Sequence, residues 1–100
     1  MKYEIEFSKD VEQDLKSIPA YYRGEIMDAI MEQLTHQPTS ASKNKKILFS
    51  LVPPWDHEPP VRELRIGNYW AFYDVTKAGI KVYVRAIRLK KKGEHTEDIL

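Results

Sequence analysis

The residues of this chain with the greatest capacity for chemistry are cations and aromatics in its last third. Five cations stand close together near the C-terminal end: Arg85, Arg88, Lys90, Lys91 and Lys92. Three tyrosines lie before or among them: Tyr69, Tyr73 and Tyr83. Lysine and arginine contact phosphates, and aromatic rings stack on bases, so this pattern is typical of an RNA-binding face. The alternative interpretation is a solvated strand edge, where lysines discourage pairing with another strand.

Histidine is the other group that could carry a reaction. His95 could act as a general acid or base because its unperturbed pKa is about 6.5, although a histidine this close to a chain end is more often only exposed. The histidines His36, His57 and His95 do not have the spacing of a metal site, and the four glycines do not form a phosphate loop. There is no cysteine, which excludes disulfides, thiolate zinc sites and cysteine nucleophiles. We therefore expect no metal and no cofactor.

These groups must be positioned by the elements that the hydrophobic pattern predicts. Residues 3–7 alternate apolar and charged side chains, as a half-buried strand does. Ser8 is a suitable N-cap for a first helix through Ile18. Pro19 ends that helix, and residues 20–36 repeat apolar side chains at the spacing of a second amphipathic helix.

The second half of the chain is predicted to be β-structure. Residues 38–46 read as a polar loop, 47–52 as a short strand, and the four prolines within 53–60 exclude a regular element there. Strands follow at 61–66 and 69–75, joined by Gly67-Asn68, a strong hairpin signal. A last strand spans 80–87, with Ile80, Val82, Val84 and Ala86 expected on one face. Residues 96–100 could begin a short C-terminal helix or fray.

The element order is therefore β-α-α-β-β-β-β, which indicates an α+β fold. We expect an N-terminal strand and a two-helix hairpin packed on one face of an antiparallel sheet. Arg62 and Arg65 lie on one strand at an odd separation, so they point to opposite faces of that sheet.

The bulk composition sets the class of protein. One hundred residues, 42% hydrophobic and 31% charged, suit one soluble domain over residues 1–100. The net charge of +1 does not by itself argue for nucleic acid. No apolar run approaches the ~20 residues of a membrane span, and the charged N-terminus does not resemble an export signal. We expect a cytoplasmic protein without membrane contact.

Three segments resemble the RelE/ParE toxin superfamily. YEIEFSKDVEQDLKSIP is similar to the family's opening strand and first helix, and VRAIRLKKKGEHTEDIL to the basic tail of one branch. VRELRIGNYWAFYDV resembles the family hairpin Leu-Arg-x-Gly-x-Tyr-Arg-x-x-Tyr, and the pattern is filled here by Leu64, Arg65, Gly67, Tyr69 and Tyr73.

The resemblance implies one of two activities. RelE-like members cut mRNA on the ribosome without a metal and so inhibit translation, whereas ParE-like members act on DNA gyrase. For RNA cleavage the resemblance suggests Arg65, Lys90 and His95 as catalytic residues. The remaining cations and tyrosines would contact RNA: Arg62, Tyr69, Tyr73, Arg85, Arg88, Lys91 and Lys92.

The chain departs from the nuclease pattern at several positions. Trp70 stands where the family hairpin usually has an arginine, and Val61 and Glu63 stand at about the positions of two lysines. The C-terminal catalytic tyrosine of the family falls near Thr96. A ribosome-dependent ribonuclease is therefore the first hypothesis, with a ParE-like gyrase inhibitor or an inactive antitoxin-binding scaffold as the alternative.

The resemblance also implies partners. A cognate antitoxin, often acidic in the segment that wraps the toxin, would hold the protein inactive. Tyr21, Tyr22, Met27 and Met31 exceed what one narrow helical stripe needs, so part of that surface could dock the antitoxin or simply fill the core. The nuclease hypothesis adds the ribosome and mRNA, and operator DNA would be contacted only through the antitoxin complex.

Overall fold

The alternating N-terminal residues form strand β1 (Glu4–Phe7), and helix α1 (Lys9–Lys16) follows directly. Ser8 is its N-cap, as predicted, because its hydroxyl accepts a hydrogen bond from the Val11 amide at 3.4 Å. Helix α2 (Ala20–Leu34) begins after Pro19. The computed structural model describes residues 2–40, 42, 44–48, 52–55, 57–76, 78 and 81–91.

Four further strands complete the sheet: β2 (Lys45–Leu48), β3 (Val61–Ile66), β4 (Tyr69–Val75) and β5 (Lys81–Leu89). The predicted bounds of β3 and β4 are confirmed, but β2 begins at Lys45, inside the predicted loop. Strand β5 extends two residues beyond the predicted end. Ile80 and the predicted terminal helix at 96–100 lie outside the described residues.

The sheet is mixed, which corrects the prediction of a purely antiparallel one. Its strand order is β1-β5-β4-β3-β2. Strands β2 to β5 pair antiparallel, whereas β1 pairs with β5 in parallel, with Phe7 opposite Val84. Alternation within β1 fixes which side chains face the core, but it carries no information about the direction of the neighbouring strand.

A bulge in β5 corrects the predicted face of Ala86. Phe72 pairs with Ala86 and Tyr73 pairs with Val84, so Arg85 is the extra residue. An extra residue shifts the alternation by one position. Ala86 therefore joins the cluster on the far side of the sheet, and Ile87 takes its place beside Val84.

Each face of the sheet has its own apolar cluster. On the helix face, Val11, Ile26, Ile30 and Leu34 pack on the side chains of Leu64, Ile66, Ala71, Tyr73, Val82, Val84 and Ile87. The opposite face has a smaller cluster of Val61, Trp70, Phe72 and Ala86, joined by Leu48 and Trp55. Trp55, from the proline-rich segment, places its ring 5.9 Å from that of Phe72 and so covers the middle of this face.

The β3–β4 turn is tied to the end of β5. Gly67 has φ = 59°, which glycine adopts without the cost that a Cβ would bring. The Lys90 amide donates to the Asn68 carbonyl at 2.8 Å. The turn and the first residues after β5 therefore lie side by side. In the described part of the chain, no helix is long and apolar enough to cross a membrane.

Candidate functional site

A cleft of about 600 Å³ opens where the β3–β4 turn meets the end of β5. We call it the basic groove, and its lining residues are Arg65, Gly67, Asn68, Trp70, Leu89, Lys90 and Lys91. Arg65 and Lys90, predicted to be catalytic, and Lys91, predicted to bind RNA, thus line one cleft.

Arg65 is held in place from two sides. Its Nε donates to the Glu63 carboxylate at 2.7 Å, and that carboxylate is fully buried. Its Cζ lies 4.5 Å from the centre of the Trp70 ring, within cation–π distance. The Arg65 side chain remains 35% exposed. One side of the guanidinium is thus fixed to the protein while the rest faces the groove.

Trp70 supports a second cation. The Lys90 Nζ lies 5.4 Å from the centre of the same ring. Trp70 itself is buried in the opposite-face cluster, so a nucleobase could not stack on it. Its indole acts as a platform that gathers Arg65 and Lys90.

Two further arginines of β5 are paired with carboxylates. Arg88 donates to the Asp14 carboxylate at 2.6 Å, and the Cζ of Arg88 lies 5.9 Å from the centre of the Trp55 ring. Arg85 makes a bidentate pair with the buried carboxylate of Asp74, at 2.8 and 3.1 Å. Because Arg88 and Arg85 are paired with carboxylates, as Arg65 is with Glu63, each attracts a phosphate less strongly than an unpaired cation would.

Three residues predicted to bind RNA lie on the helix face instead. Tyr73 is 1% exposed, and its hydroxyl donates to the Pro38 carbonyl at 2.6 Å. Burial raises its pKa to about 12. Arg62 donates to the Thr39 carbonyl at 3.2 Å, and Tyr69 packs its ring 5.8 Å from that of Tyr22. Side-chain alternation along β3 and β4 places all three on the face opposite Arg65, as the odd separation of Arg62 and Arg65 predicted for Arg62.

The predictions for His95 and Lys92 lie outside the described residues. The carboxylate partners of the paired arginines were not among the predicted site residues. Glu63 and Arg65 are two positions apart on a strand, so a same-face ion pair was readable from the sequence. The contact of Asp14 with Arg88 joins α1 to β5, and the residues around either one in the sequence do not indicate it.

A second, smaller cleft of about 260 Å³ lies on the helix side of the same turn. We call it the tyrosine groove, and it is lined by Tyr22, Glu25, Ile26, Ile66, Gly67, Asn68, Tyr69 and Leu89. Among the described residues, no group of three or more histidines and carboxylates is arranged to hold a metal ion.

The fold is that of RelE-type toxins. RelE in the archaeal RelE–RelB complex from Pyrococcus horikoshii OT3 has a TM-score of 0.71 and 17% identity, over 93% of this chain and all of that chain. For the RelBE2 complex from Mycobacterium tuberculosis, the TM-score is 0.67 and the identity 16%, over 90% of this chain and all of that chain. For the isolated Escherichia coli RelE toxin, the TM-score is 0.64 and the identity 14%, over 96% of this chain and 93% of that chain.

The profile of the family described as "ParE toxin of type II toxin-antitoxin system, parDE" matches residues 5–92. This chain belongs to that family, within the RelE/ParE superfamily, and is a toxin of a type II toxin–antitoxin system. The search among curated proteins gave no match.

Proposed function

We propose that this toxin inhibits its cellular target by binding it through the basic groove, without cutting RNA. The observation that carries the proposal is the pairing of Arg65 with the buried Glu63 carboxylate on the Trp70 indole. The target is DNA gyrase, which the resemblance to ParE-like toxins implies, and the toxin acts in the cytoplasm.

The chemistry of RNA cleavage explains this preference. The 2′-hydroxyl must lose a proton, the 5′-oxygen must gain one, and cations must stabilise the anionic phosphorus between them. The carboxylate nearest to Arg65 is buried and paired. Binding an anionic or acidic surface needs only positive charge, and Lys90 and Lys91 line the groove beside the Glu63-paired Arg65.

We also propose that a cognate antitoxin holds the toxin inactive. The similar folds from P. horikoshii and M. tuberculosis belong to toxin–antitoxin complexes, which supports a partner of that kind here. Contact with operator DNA would be made by the antitoxin in the complex.

Ribosome-dependent cleavage of mRNA is the second candidate function. It is favoured by the convergence of Arg65 and Lys90 on one indole, since two fixed cations could grip a phosphodiester. His95 would then act as the general acid or base, Arg85, Arg88, Lys91 and Lys92 would contact RNA, and the ribosome and mRNA would be the partners.

One pair of assays on the purified chain without antitoxin separates these functions. In a translating extract, mapping of mRNA 5′ ends should show intact message. With purified gyrase, DNA supercoiling should be inhibited. Cuts on ribosome-engaged message would establish the second candidate in place of the first, and the absence of both activities would reject both.

Matched substitutions then test the groove. Lys90→Ala and Lys91→Ala should each weaken gyrase inhibition at least about tenfold, because each removes a charged contact worth ~1.5–3 kcal/mol and leaves the Arg65–Glu63 pair intact. Lys16→Ala removes an exposed charge at the end of α1 and should leave inhibition unchanged. Equal effects of all three would show that the basic groove is not the contact surface.

A further inference from the structure

The tyrosine groove lies between helix α2 and the β3–β4 turn. On the helix it is lined by Tyr22, Glu25 and Ile26, which are three and four positions apart and therefore share one face of α2. Ile66 and Tyr69 line it from the two strands that the turn joins. The volume of about 260 Å³ suits an organic molecule somewhat smaller than a drug-sized ligand.

Two tyrosine rings form one corner of this cleft. The ring centres of Tyr22 and Tyr69 lie 5.8 Å apart, and the ring planes meet at 44°, so the rings are not stacked flat on each other. Tyr21, which does not line the cleft, packs its ring edge-on against Tyr22 with the centres 5.2 Å apart. Because the faces of tyrosine rings carry negative electrostatic potential, a corner built from them attracts organic cations.

Glu25 adds a full negative charge to the same cleft. It is exposed, and none of the ion pairs among the described residues includes it. Among the described lining residues it is the only charged one. The carboxylate would repel an anion and attract a cation, which is also the charge that the tyrosine rings favour.

The rest of the lining determines which kind of cation fits. Calcium and magnesium ions take about six or more oxygen ligands, and one carboxylate among apolar walls does not supply them. Ile26, Ile66 and Leu89 instead offer apolar surface to a hydrocarbon chain. A neutral apolar molecule would use that surface but would make no use of the Glu25 charge. An amine with an apolar chain uses both.

We propose that the tyrosine groove is a binding site for a small organic cation, namely a primary alkylammonium ion. The charged head lies between the Glu25 carboxylate and the rings of Tyr22 and Tyr69, and the apolar chain lies against the isoleucines and Leu89. This site is distinct from the basic groove, whose charge is positive, and it does not depend on which target that groove binds.

NMR titration of the isotope-labelled, full-length toxin tests this site, with n-hexylammonium chloride as the probe. n-Hexanol has the same chain without a charge, and n-hexanoate carries the opposite charge. At constant ionic strength, hexylammonium should bind at least about tenfold more tightly than either control compound. The largest amide shifts should fall on Glu25 and Asn68, which line the cleft.

Matched variants then separate the local charge from the general charge of α2. Glu25→Gln keeps the shape of the side chain and should weaken hexylammonium binding by about fivefold or more without changing hexanol binding. Asp28→Asn removes the same charge one helical turn away, outside the cleft, and should change binding by less than about twofold. Tyr22→Leu keeps an apolar side chain but removes the ring, and should weaken hexylammonium binding by about threefold. The spectrum of each variant shows whether it is folded.

Three results would overturn the proposal. Equal affinity of wild-type toxin for hexylammonium and hexanol would mean that the cleft is only apolar. Equal effects of Glu25→Gln and Asp28→Asn on hexylammonium binding would mean that the amine responds only to the overall charge of the helix. The absence of amide shifts at the cleft residues would mean that the cleft does not bind the amine.

Discussion

Replacing Tyr73 by phenylalanine tests whether this residue anchors the fold or contacts nucleic acid. Its hydroxyl donates to the Pro38 carbonyl at 2.6 Å, and both residues are buried. The substitution deletes this bond and leaves the carbonyl without that partner. A lost bond of this kind costs about 1–3 kcal/mol of unfolding free energy. We expect Tyr73→Phe to destabilise the protein by this amount at pH 7.

The same substitution should change the dependence of stability on alkaline pH. Burial raises the pKa of Tyr73 to about 12, from an ordinary value of 10.0. Because the folded pKa is the higher one, the stabilising contribution is complete below pH 10 and is lost as the pH rises towards 12. Two pKa units correspond to about 2–3 kcal/mol. The wild type should lose this stability with rising pH, and Tyr73→Phe should not.

Urea denaturation between pH 7 and pH 12 measures both effects. Tyr21→Phe is the control, because Tyr21 is 80% exposed and the exchange should leave the midpoint unchanged. A Tyr73→Phe variant with wild-type stability at pH 7 and the wild-type alkaline loss would refute this reasoning. A variant of full stability that no longer binds its target would return Tyr73 to the contact surface.

Substitutions at three other positions test the contacts that organise β5 and the turn. Arg85→Ala should cost about 3–5 kcal/mol in urea denaturation because it leaves the Asp74 carboxylate buried and unpaired; a loss below 1 kcal/mol would contradict the burial of this pair. Asp14→Asn should cost about 1 kcal/mol of unfolding free energy because it removes the charge that pairs with Arg88. Asp14→Ala should cost about twice that, since the alanine also removes the acceptor of the Ile87 amide. Equal costs would argue against the amide contact. Gly67→Ala should lower stability by about 1 kcal/mol in thermal melts, because a residue with a Cβ is strained at a φ of 59°. Gly67→Asn should lower it by less. An unchanged melting temperature for Gly67→Ala would contradict the positive φ at this position.

The sequence was most informative where local rules act. Ser8 has the side chain of an N-cap and takes that role, and Pro19 separates the two helices as expected. Gly67-Asn68 identified the hairpin with the correct bounds of β3 and β4. The odd separation of Arg62 and Arg65 placed them on opposite faces, where the structure has them. All of these depend on residues a few positions apart.

Predictions that needed the partner of a strand or side chain were less successful. The sequence located Arg65, Lys90 and Lys91 in one region, and the two-residue spacing of Glu63 and Arg65 was compatible with an ion pair, but nothing local indicated that Arg65 also packs on Trp70. It assigned Tyr73 to RNA contact because tyrosines accompany the cations in this region, and that pattern does not distinguish an exposed ring from a buried one. The substitution of Trp70 for arginine was visible, but its use as a support for two cations was not.

By itself, then, the sequence determined the element order, the hairpin, the family and the presence of a cationic region, because these follow from short-range patterns and motifs. Only the tertiary structure decided the direction of β1 beside β5 and the bulge at Arg85 that moves Ala86 to the opposite face. It alone decided the pairing of Asp14 with Arg88, 74 positions apart. Such contacts depend on how distant segments pack against each other, and that packing is not encoded in the period of any one segment.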